Sequence, residues 1–540
     1  MKTFNPPTQW VKDSAGLVLL LILALGTFLR VYGINFGLPH LYNFDEIIFV
    51  DRAYYMLGNQ DPNPQWFGAP ASTTIYLLAL VYLVIFVIGL IFGQFSNPSQ
   101  FKALYLTDPT VFYLSGRLLT AVFGIAIIVL VYWIGHKLFN PSVGLIGAAF
   151  IAFSPLYVYL SKLIRMDIQM TFFILLSLWF CLKTLEDTGW LNYILAGAFL
   201  GLAITTKYPA ILFTVSILLA HFISHPKSRK SSFKIVISAF SCVAGVFVSS
   251  PFLFLDIERA WHDVIYESRS EHLGATGQGF WADLIWYWRE PILANFTILG
   301  IILSLFGFGL ALTSKRKDLL VFISFPLVFF VFISTLSLRW DRWIIPVFPF
   351  LGLLIGYAIY TLYQWVKQRF NHRVSLFISL ALLGIMLLPL ASLSFLESRE
   401  MAGVDTRTLA GEWMLKNIPP QSSVLVELYT PQLPKDSFQF FEVNEQGNLT
   451  QTDLSQFEHY RFIPSWSQIG NLKNIEQITN QNIDYIVMSN MYDRFAREKE
   501  QYREIVRTYQ AIMKQKTLVY ETQQVRGVNY GPTIRIYQVN

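Results

Sequence analysis

The chain has 540 residues, of which 54% are hydrophobic, 16% aromatic and only 14% charged. Soluble globular chains carry about a quarter charged residues, so this composition excludes an ordinary soluble enzyme and points to many segments inside a bilayer. The formal net charge of +6 comes without a clustered basic and aromatic surface, which argues against a nucleic-acid partner and directs attention to how Lys and Arg are shared among the loops. Cys181 and Cys242 both fall in apolar stretches and predict neither a disulfide nor a zinc ligand set.

A run of about 20 apolar residues spans a bilayer core. The first such run extends from Ala15 to about Ile34, follows Lys2 and Lys12, and lacks a small-residue cleavage site, which predicts a retained span with its N-terminus in the cytosol. Next comes Asn43-Phe44-Asp45-Glu46, opening an amphipathic helix that continues through Ile47 to Tyr55 and is expected at the bilayer surface. Two carboxylates there suit the first turn of a helix, where the dipole favours negative charge, and equally suit a general base held half out of water.

Further apolar runs lie at 72–93, 109–135, 143–160, 168–182, 191–206, 209–223, 235–255, 292–313, 319–337, 343–366 and 374–395, twelve in all. Cytosolic loops hold the excess of Lys and Arg. Three loops do so plainly: Lys227, Arg229, Lys230 and Lys234; Lys315, Arg316 and Lys317; and Lys367, Arg369 and Arg373. Alternation from these puts His136, Lys137 and Lys183 inside, and Arg165 to Asp167, Lys207, the loop 256–291 and Arg339 outside. The first span agrees only if one run fails to cross, and 72–93 is assigned as a re-entrant or juxtamembrane helix in a long first outer loop. The expectation is an integral, multi-pass protein of the plasma (inner) membrane with about eleven spans. Its residues 1–396 form the membrane domain and 397–540 a soluble, extracytoplasmic α/β domain. In the latter, helices are expected at Thr406 to Asn417 and Tyr492 to Lys514, and strands at Ser423 to Leu428, Asp484 to Met488, Thr517 to Tyr520 and Thr533 to Val539.

Charged side chains in or beside spans cost about 2.5–3.5 kcal/mol each at the bilayer centre, so those present are candidates for function. Here the predicted outer ends hold Asp45, Glu46, Arg165, Asp167, Lys207, Arg339, Asp341 and Arg342, with Glu271 and His272 in the long outer loop. Plainer roles exist for each: Arg165 and Asp167 at the interface, Lys207 in a turn, Arg339 to Trp343 as an aromatic belt with a local ion pair, and Glu271-His272 in a solvated loop. Two acids and several bases gathered at one depth point instead to a site for an anion beside a general base.

Asn43-Phe44-Asp45-Glu46 after the first span, Arg165-Met166-Asp167, Thr206-Lys207-Tyr208, Glu271-His272, and Arg339 leading into Ile345-Pro346-Val347-Phe348-Pro349 occur in an order that resembles the GT-C glycosyltransferases. The resemblance is greatest to the branch with the protein O-mannosyltransferases and the aminoarabinose transferase of lipid A. Asp405-Thr406-Arg407 with Trp413, Asn417 and Pro419 looks like the start of the outer domain of bacterial members. The resemblance implies a polytopic α-helical GT-C fold and an inverting transfer of one sugar from a polyprenyl-phosphate donor to a hydroxyl of a lipid, glycan or protein acceptor. It implies a catalytic Asp45 with Glu46 beside it, and donor phosphate on Lys207 and Arg339 with Arg165 and Arg342. Glu46, Asp167, Glu271 and His272 are expected to orient sugar or acceptor. Two departures stand out: Asp61 to Ala71 carries no Lys or Arg, where some relatives place a lysine, and no Asp-X-Asp pair calls for a metal cofactor. The competing readings are an oligosaccharide ligase or polymerase using a pyrophosphate lipid, and a transporter of lipid-linked sugars, which would show mid-span charges and inverted repeats.

Overall fold

The computed structural model describes residues 9–69, 71–224, 229–267, 271–444, 446–457, 462, 463, 465 and 467–539. Lys2, Lys227 and the side chains of Lys12, Arg229 and Lys230, on which part of the expected orientation rests, lie outside the described residues.

Every apolar run folds as helix. The bundle comprises α1 (Gln9–Val31), α2 (Phe44–Asn59), α3 (Ser72–Ile91), α4 (Pro98–Thr107), α5 (Thr110–Leu138), α6 (Pro141–Phe153), α7 (Pro155–Ser161), α8 (Met166–Lys183) and α9 (Trp190–Thr206). A 3-10 turn at Tyr208–Phe213 leads into α10 (Thr214–Ser224), followed by α11 (Arg229–Ser249), α12 (Phe252–Leu255) and α13 (Ile257–Glu267). Then α14 (Phe280–Tyr287) runs through a π-helical turn into α15 (Leu293–Thr313), α16 (Lys317–Ser334) precedes a 3-10 turn at Asp341–Val347, and α17 (Phe348–Arg369) and α18 (His372–Ala402) close the bundle. Among the described residues, length and composition qualify seven helices to cross a membrane, or eight if the bent pair α6 and α7 is one span, and leave four shorter apolar helices. This is an integral membrane protein, and those criteria alone do not reproduce the expected count of eleven.

The α3 helix is one of the seven. At its start Thr73 Oγ1 meets Thr205 Oγ1 (2.7 Å) at the end of α9, and Ser72 Oγ accepts from Ser250 Oγ (2.8 Å) just beyond α11. Midway, Tyr82 OH donates to the carbonyl of Phe112 (3.2 Å) in the first turn of α5, and beyond that Phe86 packs on Phe101 of α4 with ring centroids 5.4 Å apart. These contacts tie the start of α3 to the ends of α9 and α11 and its middle to the first turn of α5 and to α4, a placement that suits the rim of the bundle.

Local chemistry explains the breaks. Ser154 caps α7, Pro155 removes a donor at its first position, and α6 and α7 meet at 62°. The fully buried Arg30 answers carbonyls freed by that break, donating to Ile151 O (2.9 Å) and Ala152 O (3.1 Å). Against α11, α9 packs backbone to backbone: a Cβ on Gly201 would lie 2.3 Å from the carbonyl oxygen of Cys242.

The C-terminal region contains α19 (Thr406–Asn417), β1 (Ser423–Leu425), β2 (Leu433–Pro434), β3 (Gln439–Val443), β4 (Leu449–Gln451), β5 (Phe462–Ile463), α20 (Glu476–Asn480), β6 (Tyr485–Met488), α21 (Met491–Arg497), α22 (Arg503–Gln515), β7 (Thr517–Thr522) and β8 (Ile534–Gln538). Six strands form one sheet in the order β4-β3-β1-β6-β8-β7, with β1 parallel to β3 and β6 and the other pairs antiparallel. The expected helix 492–514 is two helices, strands β2 to β5 were not anticipated, and α18 carries the bundle to Ala402, past the expected boundary at 396.

Candidate active site

The site grows from the first turn of α2. Asn43 caps that helix, its side chain accepting from the Asp45 amide at 3.3 Å. Successive helical residues point about 100° apart, so Asp45 and Glu46 part company at once. The Glu46 carboxylate turns into the bundle, where Arg117 of α5 grips both oxygens (Nε to Oε1 3.0 Å, Nη2 to Oε2 2.7 Å) and the Ile164 amide adds a third bond at 2.9 Å. The same guanidinium holds the carbonyls of Ile34 (2.9 Å) and Phe36 (2.8 Å), tying down the chain between α1 and α2. Glu46 is buried and does not line the cavity described next, so the structure does not bring it to the catalytic or substrate-orienting place expected for it.

Asp45 points the other way, into a cavity of about 970 Å³ between the bundle and the C-terminal domain. Its carboxylate pairs with Arg165, the residue preceding α8. Lys207, which follows α9, and Arg342, in the 3-10 turn before α17, line the same cavity. Lys207 Nζ is anchored from behind by Asp167 Oδ1 (2.6 Å) and lies 5.7 Å from the Trp343 ring centroid, while Arg342 stacks 4.3 Å above Trp340. His272 joins the lining, its ring edge-on to Trp340 at 4.9 Å. Burial raises the Asp45 carboxyl, but the charges of Arg165 and Arg342, the Arg165 hydrogen bond and His272 outweigh it and hold the group below its ordinary range. Three buried polar atoms here have no partner among the described residues: Arg165 Nε, Arg342 Nε and Asp167 Oδ2. Such orphans concentrate where a ligand supplies what the fold leaves out.

Of the expected residues, the structure thus brings Asp45, Arg165, Lys207, Arg342 and His272 to one cavity, with Asp167 buried behind Lys207. Arg339 is elsewhere, a correction to its expected phosphate-binding place. Its guanidinium pairs with the buried Asp283 (3.0 Å) and lies 5.1 Å from the Trp286 centroid, because a buried carboxylate needs a partner. Glu271 is exposed and also outside the lining, so the structure does not bring it to the place expected for it. Among the described residues no group of three His, Cys, Asp or Glu side chains is placed to hold a metal ion.

The C-terminal domain supplies the residues that sequence reasoning missed. Arg407, Tyr429, Asn490, Arg494 and Tyr530 all line the cavity. Arg407, fixed by Asp405 (Nε to Oδ1 2.8 Å, Nη2 to Oδ2 2.7 Å), donates to the carbonyl of Tyr42 at 3.0 Å. Gln432 pairs with the Leu41 backbone in both directions, accepting from its amide (2.7 Å) and donating to its carbonyl (2.9 Å). The domain therefore clamps the two residues that immediately precede Asn43. Asp405-Thr406-Arg407 carried a signal for this; of the others, Arg494 is on α21 and the rest are isolated side chains outside the helices.

A family model described as dolichyl-phosphate-mannose-protein mannosyltransferase matches residues 112–254, about a quarter of the chain. The apo crystal structure of ArnT from Cupriavidus metallidurans aligns over 98% of this chain and 98% of its own, with a TM-score of 0.53 at 14% identity. The apo oligosaccharyltransferase of Archaeoglobus fulgidus aligns over 97% of this chain and 75% of its own, with a TM-score of 0.54 at 11% identity. The chain has the GT-C glycosyltransferase fold. ArnT from the same bacterium bound to undecaprenyl phosphate gives a TM-score of 0.51 over the same shares at 14% identity. No curated protein matches this GT-C chain. The stretch matched by the family model contains Arg117 and Arg165, the partners of the two carboxylates, and the Asp167–Lys207 pair, but not Asp45 and Glu46 themselves.

Proposed function

We propose that this GT-C glycosyltransferase moves a single sugar, with inversion, from a polyprenyl-phosphate carrier to a hydroxyl of an acceptor on the outer face of the membrane. The observation that carries the reading is the Asp45–Arg165 pair in one cavity with Lys207 and Arg342. Asp45 takes the hydroxyl proton as the acceptor oxygen attacks the anomeric carbon. The bond from that carbon to the phosphate oxygen breaks, and the electron pair leaves with polyprenyl phosphate. Phosphate is a good leaving group, so cations that neutralise it suffice. Arg165, Lys207 and Arg342 are those cations, and Phe329, Phe332 and Ile333 of α16 give the cavity an apolar wall suited to the carrier.

Arg165 couples the two halves of the reaction. Before donor binds, its charge helps to hold the Asp45 carboxyl below the ordinary range, where it is a poor base. A donor phosphate competes for the same guanidinium and so raises the proton affinity of Asp45 when a sugar is in place. The basic loops support a cytosolic N-terminus, a plasma-membrane location and an extracytoplasmic C-terminal domain. Incubating the purified protein with a panel of radiolabelled polyprenyl-phosphate sugars and an acceptor-containing membrane extract tests the reading. Release of polyprenyl phosphate from one donor is expected. Release only from pyrophosphate-linked oligosaccharides would replace this reading with the ligase one.

A further inference from the structure

The C-terminal domain presents the carboxyl ends of its parallel strands β1 and β6 to the cavity. In open α/β sheets the crevice outside those ends is where ligands bind. The two strands pair in register, Leu425 beside Ile486, and the chain leaving each is locked to the other by a buried carboxylate. Glu427 Oε1 accepts from the Ser489 amide (2.6 Å) and hydroxyl (3.0 Å), Oε2 accepts from Tyr509 OH (2.7 Å), and Ser489 Oγ reaches the Leu428 carbonyl (2.7 Å). On this base stand Tyr429 and Asn490, and four residues on from Asn490 stands Arg494; all three line the cavity.

Three features of this trio are unexplained by folding. Tyr429 sits at φ 67°, in the left-handed region that a bulky residue rarely enters and that costs on the order of 1–3 kcal/mol. Asn490 Oδ1 is buried without a partner among the described residues. The Arg494 guanidinium lies 4.7 Å from the Tyr429 ring centroid and makes no ion pair among the described residues. Strain, an orphaned acceptor and an unpaired cation on one rigid crevice together describe a site awaiting its ligand. Its position is equally informative. The Tyr429 ring meets Phe44 at 5.7 Å, and Phe44 is the neighbour of Asp45.

We infer that Tyr429, Asn490 and Arg494 form the acceptor subsite and that they select a saccharide bearing a carboxylate or phosphate. The inference rests on the reading of the cavity as a transfer site. The ring of Tyr429 offers a face to a sugar ring, Asn490 Oδ1 accepts from a sugar hydroxyl, and Arg494 takes the anionic group in a charge-assisted bond. A saccharide held there lies against the Phe44 side of the cavity, with a hydroxyl beside Asp45. Arg342 of the bundle and Arg494 of the C-terminal domain then divide two anions between them, the donor phosphate and the acceptor charge.

Saturation-transfer NMR on the detergent-solubilised full chain tests this with three probes, digalacturonic acid, glucose 6-phosphate and lactose, while undecaprenyl phosphate binding is measured separately. Transfer is expected to at least one acidic probe and not to lactose. Arg494→Gln and Asn490→Ala are each expected to weaken that probe at least tenfold and to leave undecaprenyl phosphate binding unchanged, which also shows that the variants fold. Whichever acidic probe binds tells carboxylate from phosphate. Equal binding of lactose, no binding of any probe, or an equal loss of undecaprenyl phosphate binding in Arg494→Gln would overturn the subsite. Failure of the wild type to bind undecaprenyl phosphate would overturn instead the donor reading on which it rests.

Discussion

Two adjacent carboxylates on α2 have opposite environments, and the contrast assigns their work. Glu46 is 1% exposed and locked between Arg117 and the Ile164 amide, whereas Asp45 is 53% exposed and shares Arg165 with an open cavity. A carboxylate with three fixed donors and no access cannot take a proton from a substrate; it fixes the helix. One with a single, displaceable cation can. The bundle side of α2 is thus built for rigidity and the cavity side for exchange, with one residue marking the change.

The largest effect expected from breaking this contrast is on chemistry. Asp45→Asn should lower sugar transfer by about 10²- to 10⁴-fold, while yield and melting temperature of the purified protein stay near wild type. Glu46→Gln should do the reverse. Leaving Arg117 buried and unpaired costs roughly 3–5 kcal/mol, so its thermal unfolding should come much earlier while transfer per folded molecule changes little.

The cations sharpen the comparison. Lys207→Ala should weaken undecaprenyl phosphate binding by about 10- to 100-fold, as expected for losing a charged hydrogen bond. Arg339→Ala should change it by less than about threefold, because its charge serves Asp283. Isothermal titration of the two variants separates them.

A pH effect on stability, away from the chemistry, lies in the C-terminal domain. Burial raises the Glu427 carboxyl to about 7 despite its four hydrogen-bond donors. Between its ordinary value in the unfolded chain and about 7, the folded state binds the extra proton, so stability is highest at acidic pH and falls as pH rises through that window. The loss by pH 8 is on the order of 3 kcal/mol. Thermal melts of the domain from pH 5 to 8 should show the decline, and Glu427→Gln should flatten it.

Much of the bundle was legible because apolar length and helix formation coincide, and because charge in a bilayer is costly enough to mark a site. Asp45, Arg165, Lys207 and Arg342, which the structure brings to one cavity, were singled out that way. The same reasoning offered a signal for Arg117, a lone cation inside the apolar run of α5, which is the partner that removes Glu46 from the chemistry. Arg339 misled because its acid, Asp283, lies 56 residues away in sequence, in the first turn of α14, and nothing local marks it as buried. Tyr429, Asn490 and Arg494 were invisible. Nothing local in sequence announces a left-handed tyrosine or the meeting of two strand ends with a membrane-domain cavity. Strands β2 to β5, each of five residues or fewer, were too short for alternation to register.

The central claim is that Asp45 and not Glu46 is the base. It is tested most directly by measuring polyprenyl phosphate release from a radiolabelled donor by wild type, Asp45→Asn and Glu46→Gln, each normalised to folded protein. The account predicts a loss of at least about a hundredfold for Asp45→Asn and near wild-type turnover for Glu46→Gln. Retained release by Asp45→Asn, with the loss falling on Glu46→Gln, would contradict it.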